Sequence, residues 1–97
     1  MAATVYVVAR WVAKPGKEEE LKNVLSALIA PSRRELGCYL YDLLRNPEDP
    51  RDFCFVERWE NDKALDQHAA SDHLKAGRAQ AEDFAEGPPD VRRYHVL

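Results

Sequence analysis

The residues best suited to chemistry in this chain are two histidines, His68 and His73. Imidazole titrates near neutral pH, so a histidine can accept a proton from a phenol-like hydroxyl group and later return it. Their five-residue spacing does not place them on one face of an unbroken helix. A helix start at Ser71 and Asp72 would break the helix and bring the two rings together. We expect His68 to be the proton acceptor; a surface or capping position for His68 and a structural imidazole for His73 are the alternatives.

A second group of candidates lies in the segment from Asp52 to Glu60. Period-two alternation places Phe53, Phe55, Glu57 and Trp59 on one face of a strand. Aromatic rings beside a single carboxyl group would suit a flat, hydroxylated aromatic substrate. We therefore predict that Phe55, Glu57 and Trp59 bind such a substrate. An ordinary core or interface position is the alternative for Trp59.

The role of Glu57 is open at this point. Its carboxyl group could orient a histidine or hold a substrate hydroxyl group, and an ion pair with Arg10 or Arg93 is the alternative. Tyr41 is expected to donate a hydrogen bond into the same pocket, because a buried tyrosine hydroxyl needs a partner. Strict alternation puts Tyr39 on the same face as Tyr41, although the pattern does not decide which face lines the pocket.

No metal site is predicted. A usual site needs three or four ligands, and no carboxylate or cysteine near the two histidines completes an obvious set. Cys38 and Cys54 lack metal-type spacing, and a hairpin between them would hold them far apart. We expect two reduced thiols.

The elements that position these residues follow the order β-α-β-β-α-β. Strand composition predicts four strands, Thr4–Ala13, Cys38–Arg45, Asp52–Glu60 and Val91–Leu97. After the first strand, apolar residues recur at helical spacing, and Pro31 is predicted to kink or end that helix, with a short continuation possible through Glu35. A second helical region carries His68, breaks near Ser71 and ends at about Phe84. This order predicts an α+β, ferredoxin-like fold with an antiparallel sheet and helices on one face.

Composition limits the function classes. A length of 97 residues allows a single domain, residues 1–97, and leaves a thin core that a second subunit could extend. The net charge of -3 and the absence of a basic stripe argue against a nucleic-acid partner. The apolar stretch Met1–Ala13 is too short to span a bilayer and has no basic leading region, which predicts a cytoplasmic protein without a membrane partner.

Several segments, taken in order, resemble one known family. They are Val8-Ala9-Arg10, Lys14-Pro15-Gly16-Lys17-Glu18, Gly37-Cys38, Phe55-Val56-Glu57-Arg58-Trp59-Glu60, Ala64-Leu65-Asp66-Gln67-His68, Ser71-Asp72-His73-Leu74 and Gly87-Pro88. Their order and spacing resemble the antibiotic biosynthesis monooxygenase family from about Val5 to Val96.

The resemblance implies a homodimer, the dimeric α+β barrel, in which two sheets pack face to face and each subunit keeps a pocket between sheet and helices. Members of this family include oxygenases that act on quinols or anthrone-like polyketides without metal or flavin, and a tryptophan resembling Trp59 lines their cavity. The fold also hosts haem-degrading enzymes and a quorum-signal isomerase with histidines resembling His68 and His73. The fold alone therefore does not settle the chemistry.

The sequence thus predicts a monooxygenase without cofactor that uses molecular oxygen on a small quinol or a polycyclic phenol. The predicted site comprises the proton acceptor His68 and the substrate-binding residues Trp59, Glu57, Tyr41, His73 and Phe55. Two alternatives stay open: an isomerase of a small hydroxy-ketone that shuttles protons through the histidines, and a binding or stress-linked protein without turnover.

Overall fold

The computed structural model describes residues 3–97; Met1 and Ala2, the first residues of the apolar N-terminal stretch, lie outside the described part. Four strands and four helices follow one another: β1 Val5–Val12, α1 Glu18–Ser26, α2 Ile29–Arg33, β2 Cys38–Arg45, β3 Asp52–Trp59, α3 Asp62–Ala69, α4 Asp72–Ala81 and β4 Asp90–His95. The strands form one antiparallel sheet in the order β2-β3-β1-β4. This confirms the predicted ferredoxin-like α+β fold.

One face of the sheet packs against the helices and forms the core. Val5, Val7, Ala9 and Trp11 of β1 are buried on this inner face. The alternate residues of β3, from Phe53 to Trp59, are buried beside them. The opposite, outer face stays half-buried or exposed along β1 and β3. The predicted face of Phe53, Phe55, Glu57 and Trp59 is therefore the one that faces the helices.

An irregularity in β2 changes which residues share a face. Cys38 pairs with Trp59 of β3, and Leu40 pairs with Arg58, the neighbour of Trp59 on that strand. Tyr39 has no partner of its own and is therefore an extra residue in β2. Such a bulge shifts every following side chain to the other face. Tyr39 is exposed and its ring lies beside the Arg58 guanidinium, whereas Tyr41 is buried on the inner face. The prediction that both tyrosines share a face is therefore wrong.

The first helical region is interrupted one turn before Pro31. A proline has no N–H for the carbonyl four residues earlier and its ring clashes with that carbonyl, which here belongs to Ala27. The break accordingly falls between α1 and α2, where the Leu28 N–H bonds to the Leu25 carbonyl in a tighter turn. Pro31 itself lies within α2, so the predicted kink occurs earlier than expected.

The second helical region is divided as predicted. The Asn61 side chain accepts a hydrogen bond from the Ala64 N–H and starts α3, and the Ser71 side chain accepts one from the Leu74 N–H and starts α4. The helix ends at Ala81 rather than near Phe84. In residues 3–97, no helix is long and apolar enough to cross a membrane.

Candidate functional site

His68 lies in the last turn of α3 and points towards the inner face of the sheet. It is only 3% exposed. The Trp59 ring lies beside it at 4.6 Å between centroids, and the Tyr41 ring meets it at 5.4 Å in an edge-on arrangement. Two aromatic neighbours therefore fix the plane of the imidazole.

Glu35, in the loop between α2 and β2, holds both histidines. Its Oε2 atom lies 2.5 Å from His68 Nδ1 and 3.0 Å from His73 Nε2. The Ser71 hydroxyl donates to the His68 carbonyl at 2.7 Å, at the break between the two helices. The predicted break thus does bring the imidazoles together, with ring centroids 6.1 Å apart.

The contact with Glu35 sets the tautomer of His68. An ionised carboxylate only accepts hydrogen bonds, so the neutral imidazole must carry its proton on Nδ1. The lone pair then lies on Nε2, which is 3.8 Å from Glu57 Oε1. This separation is too long for a hydrogen bond, and it leaves Nε2 free to accept a proton from another group.

Glu57 is a buried acid. It is 4% exposed, and its Oε1 accepts a hydrogen bond from Trp59 Nε1 at 2.9 Å. Burial raises its pKa to about 7, against the opposing effect of the Trp59 hydrogen bond. An ion pair with either arginine considered above is absent among the described residues, since Arg10 pairs with Asp52 and Arg93 pairs with α3.

Burial also perturbs the two neighbours of Glu57. It lowers the pKa of His68, and the hydrogen bond that His68 donates to Glu35 opposes that effect. It raises the pKa of Tyr41 well above its ordinary value, with the Glu57 carboxyl group adding to the rise. At neutral pH the site therefore offers a neutral imidazole as a proton acceptor and a protonated phenol as a hydrogen-bond donor.

These groups border a cavity of about 280 Å³ between the sheet and the helices. Its lining is mostly apolar, with polar groups from both layers; the residues are Val7, Ala9, Trp11, Leu28, Tyr41, Phe55, Glu57, Leu65, His68, Ala69, Leu74, Arg78, Val91 and Arg93. Four of the predicted site residues, Tyr41, Phe55, Glu57 and His68, line it. The other two, Trp59 and His73, are not among the lining residues, so their contact with a substrate stays a prediction.

The cluster also contains donors that could hold a metal ion. Ligand atoms of Glu35, His68 and His73 lie within 4.8 Å of one another. The expectation that no carboxylate completes a set with the two histidines is therefore wrong. The two imidazole nitrogens also lie within hydrogen-bonding distance of Glu35 Oε2, at 2.5 Å for His68 and 3.0 Å for His73.

Sequence reasoning missed two residues of the site, Glu35 and Arg78. Glu35 lies in an irregular loop, where no periodic pattern predicts the direction in which a side chain points. Its backbone is fixed by hydrogen bonds to Ser32 and Cys38. The next turn packs closely on α3: Gly37 has φ +84°, and an added Cβ would lie 2.8 Å from Ala64 Cβ. This close approach of loop and helix is what sets Glu35 against His68.

Comparison with known proteins agrees with this architecture. The model of the family described as antibiotic biosynthesis monooxygenase matches residues 4–80. The chain belongs to the antibiotic biosynthesis monooxygenase family. The resemblance seen in the sequence is therefore confirmed.

Relatives of this family member cover nearly the whole chain. Rv0793 from Mycobacterium tuberculosis is 35% identical over 94% of this chain and 89% of its own length. YcnE from Bacillus subtilis is 30% identical over 82% of this chain and 84% of its own length. Both are named as candidate monooxygenases. The solved structure of PA3566 from Pseudomonas aeruginosa, 34% identical, superposes with a TM-score of 0.89 over 100% of this chain and 97% of that one.

Proposed function

We propose that this chain is a monooxygenase that needs no cofactor and oxidises a small quinol or a polycyclic phenol with molecular oxygen. The observation that carries the proposal is the orientation of His68. Its Nδ1 is held by Glu35, which does not line the cavity, and its Nε2 is left as the proton acceptor on the side of Glu57, which does line it. Family membership and the names of the relatives support a monooxygenase in general.

The chemistry needs only a base and a dry cavity. Removal of a phenolic proton by Nε2 leaves an electron-rich anion, which can transfer one electron to O2. Substrate radical and superoxide then combine at a ring carbon to form a carbon–oxygen bond to peroxide. The imidazolium returns its proton to the peroxide, and loss of water with the hydrogen of that carbon leaves a carbonyl group. One oxygen atom stays in the product, the other leaves in water, and the substrate supplies all four electrons.

The surrounding residues fit these steps. The imidazolium that forms is paired with the Glu35 carboxylate at 2.5 Å, so the charge is compensated where it appears. The Tyr41 hydroxyl and the protonated Glu57 carboxyl group can donate hydrogen bonds to the substrate anion. Phe55 and the aliphatic lining exclude water and give the ring of a flat substrate an apolar surface.

The outer face of the sheet supports a homodimer as part of the proposal. It carries half-buried Val8 and Val56, together with exposed Tyr39, Leu44 and Tyr94. A large apolar surface of this kind is usually covered by a partner. A second copy of this chain, packed sheet against sheet, would cover the face and complete the barrel that the family resemblance implies.

A cytoplasmic location is also part of the proposal, and the two cysteines support it. Cys38 and Cys54 are both free thiols, as predicted, and their pairing partners on β3 and β2 place them at opposite ends of the hairpin. Thiols in this state are typical of reducing compartments.

The test is oxygen uptake by the purified protein against a panel of quinols and anthrone-like phenols. His68→Ala should abolish uptake above the spontaneous rate. His95→Ala, which removes an exposed histidine at the end of β4, is the matched control and should leave it unchanged. No uptake by the wild-type protein for any compound would contradict the proposal.

A proton-shuttling isomerase is the second candidate. The observation that favours it is the Glu35 bridge between two imidazoles, one buried and one 28% exposed, because such a chain can move protons without oxygen. Turnover of a hydroxy-ketone under anaerobic conditions would select this candidate. Saturable binding with neither uptake nor isomerisation would identify a binding protein.

A further inference from the structure

The inner face of the sheet carries a polar group at each end of one cross-strand row. Tyr41 on β2 pairs with Glu57 on β3, Glu57 with Val7 on β1, and Val7 with Arg93 on β4. All four residues line the cavity. Neighbouring strands lie about 4.8 Å apart, so the backbone positions of Glu57 and Arg93 are separated by about 10 Å. The floor of the cavity is therefore acidic at one end, apolar in the middle and basic at the other end.

The basic end is also the open end. Val91 and Arg93 line the cavity, yet β4 is exposed along its whole length. The Arg93 guanidinium is already paired with two carboxylates of α3, those of Asp62 at 3.4 Å and Asp66 at 2.9 Å. Arg93 thus frames the opening, but much of its charge is compensated.

A second guanidinium lines the cavity from the helical layer. Arg78 belongs to α4, and within residues 3–97 it has neither an ion pair nor a side-chain hydrogen bond. The charge of Arg78 also influences Glu57 at the acidic end. Burial raises the pKa of Glu57, the hydrogen bond from Trp59 is the largest effect that lowers it, and the positive charge of Arg78 lowers it further. An uncompensated positive charge beside an apolar cavity attracts an anion more strongly than a charge in open water does.

We propose that Arg78, with Arg93 beside the opening, forms an anion subsite, and that the substrate is a hydroxyaromatic compound with a carboxylate at the end opposite its hydroxyl group. The planar guanidinium can hold a carboxylate through two parallel hydrogen bonds. The hydroxyl group then lies at His68 and Glu57. The floor of the cavity extends about 10 Å from Glu57 to Arg93 at the opening, which leaves room for a substrate of about two fused rings. This assignment of the hydroxyl end rests on the proposed function, whereas the anion subsite rests on Arg78 alone.

The test measures binding rather than turnover, so it does not depend on catalysis. Dissociation constants of 2-naphthol, 2-naphthoate and 6-hydroxy-2-naphthoate are determined by calorimetry without oxygen at pH 7. The wild-type protein should bind 6-hydroxy-2-naphthoate about tenfold or more tightly than 2-naphthol, the size expected for a charge-assisted hydrogen-bonded pair. Arg78→Gln should remove most of this difference and leave 2-naphthol binding unchanged. Arg34→Gln is the matched control, because Arg34 is also exposed and without an ion pair among the described residues but does not line the cavity.

The three ligands separate the two claims. Equal affinity for 2-naphthol and 6-hydroxy-2-naphthoate, or a preference that survives in Arg78→Gln, would overturn the anion subsite and leave the proposed function standing. Arg78-dependent binding of 2-naphthoate without binding of 2-naphthol would support the subsite and count against the hydroxyl end. Failure of all three ligands to bind the wild-type protein would overturn the anion subsite and the two-ring hydroxyaromatic substrate, whereas the proposed function is tested by the oxygen-uptake panel.

Discussion

Replacing Glu35 with glutamine tests the site at the residue that the sequence did not predict. Glutamine has nearly the same shape, and its amide oxygen can still accept the hydrogen bond from His68 Nδ1. The negative charge, however, is lost. Hydrogen bonds to charged groups contribute about 1.5–3 kcal/mol and those between neutral groups about 0.5–1.5 kcal/mol, so the imidazolium should be destabilised by about 1–2 kcal/mol. That corresponds to a decrease of about 5- to 30-fold in kcat/KM.

The pH profile separates this effect from a loss of structure. His68 must be neutral to accept a proton, so kcat/KM should rise as the pH increases through the pKa of His68 in the free enzyme. Burial lowers that pKa, and Glu35 acts in the opposite direction. Removing the Glu35 charge should lower the pKa of His68 further, by about one unit for 1.4 kcal/mol. The acid limb should therefore move to lower pH while the plateau above it falls; ionisation of Glu57, whose pKa is about 7, ends that plateau on the alkaline side.

The assay is oxygen uptake from pH 5 to pH 9, with thermal unfolding as a check on folding. Glu82→Gln, at an exposed position just beyond α4, is the control and should leave both limb and plateau unchanged. A lower plateau with an unmoved acid limb would refute the reasoning, because it would show that Glu35 acts without influencing the proton on His68.

Four further predictions follow from the same geometry. Glu57 is protonated in the folded chain up to a pKa of about 7 but ionises near 4.5 when unfolded, so the free energy of unfolding should fall by about 3 kcal/mol as the pH rises from about 4 to 8. Glu57→Gln should abolish this fall in denaturant titrations, and an unchanged slope would contradict it. Trp59→Phe should raise the pKa of Glu57 further, because the indole hydrogen bond opposes the effect of burial; an infrared titration of the carboxyl group measures this. Val56→Glu, a charge on the outer face of the sheet, should convert a dimer to monomers in sedimentation velocity, and an unchanged sedimentation coefficient would place the interface elsewhere. Oxygen uptake should survive dialysis against EDTA, whereas a loss that Zn²⁺ or Mn²⁺ restores would show that Glu35, His68 and His73 bind a metal.

The sequence predicts the parts of the fold in which apolar residues repeat at strand or helix spacing or in which a capping residue marks a helix start. Alternation along β3 correctly placed Phe53 to Trp59 on one face, and the capping residue Ser71 marked the helix break that joins His68 to His73. Both features are local, since they depend on residues a few positions apart. The bulge at Tyr39 is not local in this sense: it depends on how β2 aligns with β3, and no turn residue in the strand marks it.

Glu35 could not be predicted for a related reason. It follows α2 in a loop and lies 33 positions before His68 in the sequence. What brings the two side chains together is the close packing of the Gly37 turn on Ala64, a contact between segments that the sequence shows only as a single glycine. Composition in that loop is compatible with an exposed glutamate. Only the tertiary arrangement shows that its carboxylate bridges two imidazoles.

The position of Glu35 explains how one buried site can hold both an acid and a base. Burial disfavours every charge, so it raises the pKa of Glu57 and lowers that of His68, and both groups tend towards their neutral forms at the cavity wall. A neutral wall suits a neutral phenol before the reaction. In the proposed reaction, proton transfer then creates two charges at once, an imidazolium on His68 and an anion on the substrate. The Glu35 carboxylate compensates the first from behind the ring, and the hydrogen-bond donors Tyr41 and Glu57 stabilise the second from within the cavity. An ionised carboxylate inside the cavity would repel the anion that the base produces. The proposed reaction therefore needs Glu35 outside the lining and Glu57, inside it, in its protonated form below a pKa of about 7.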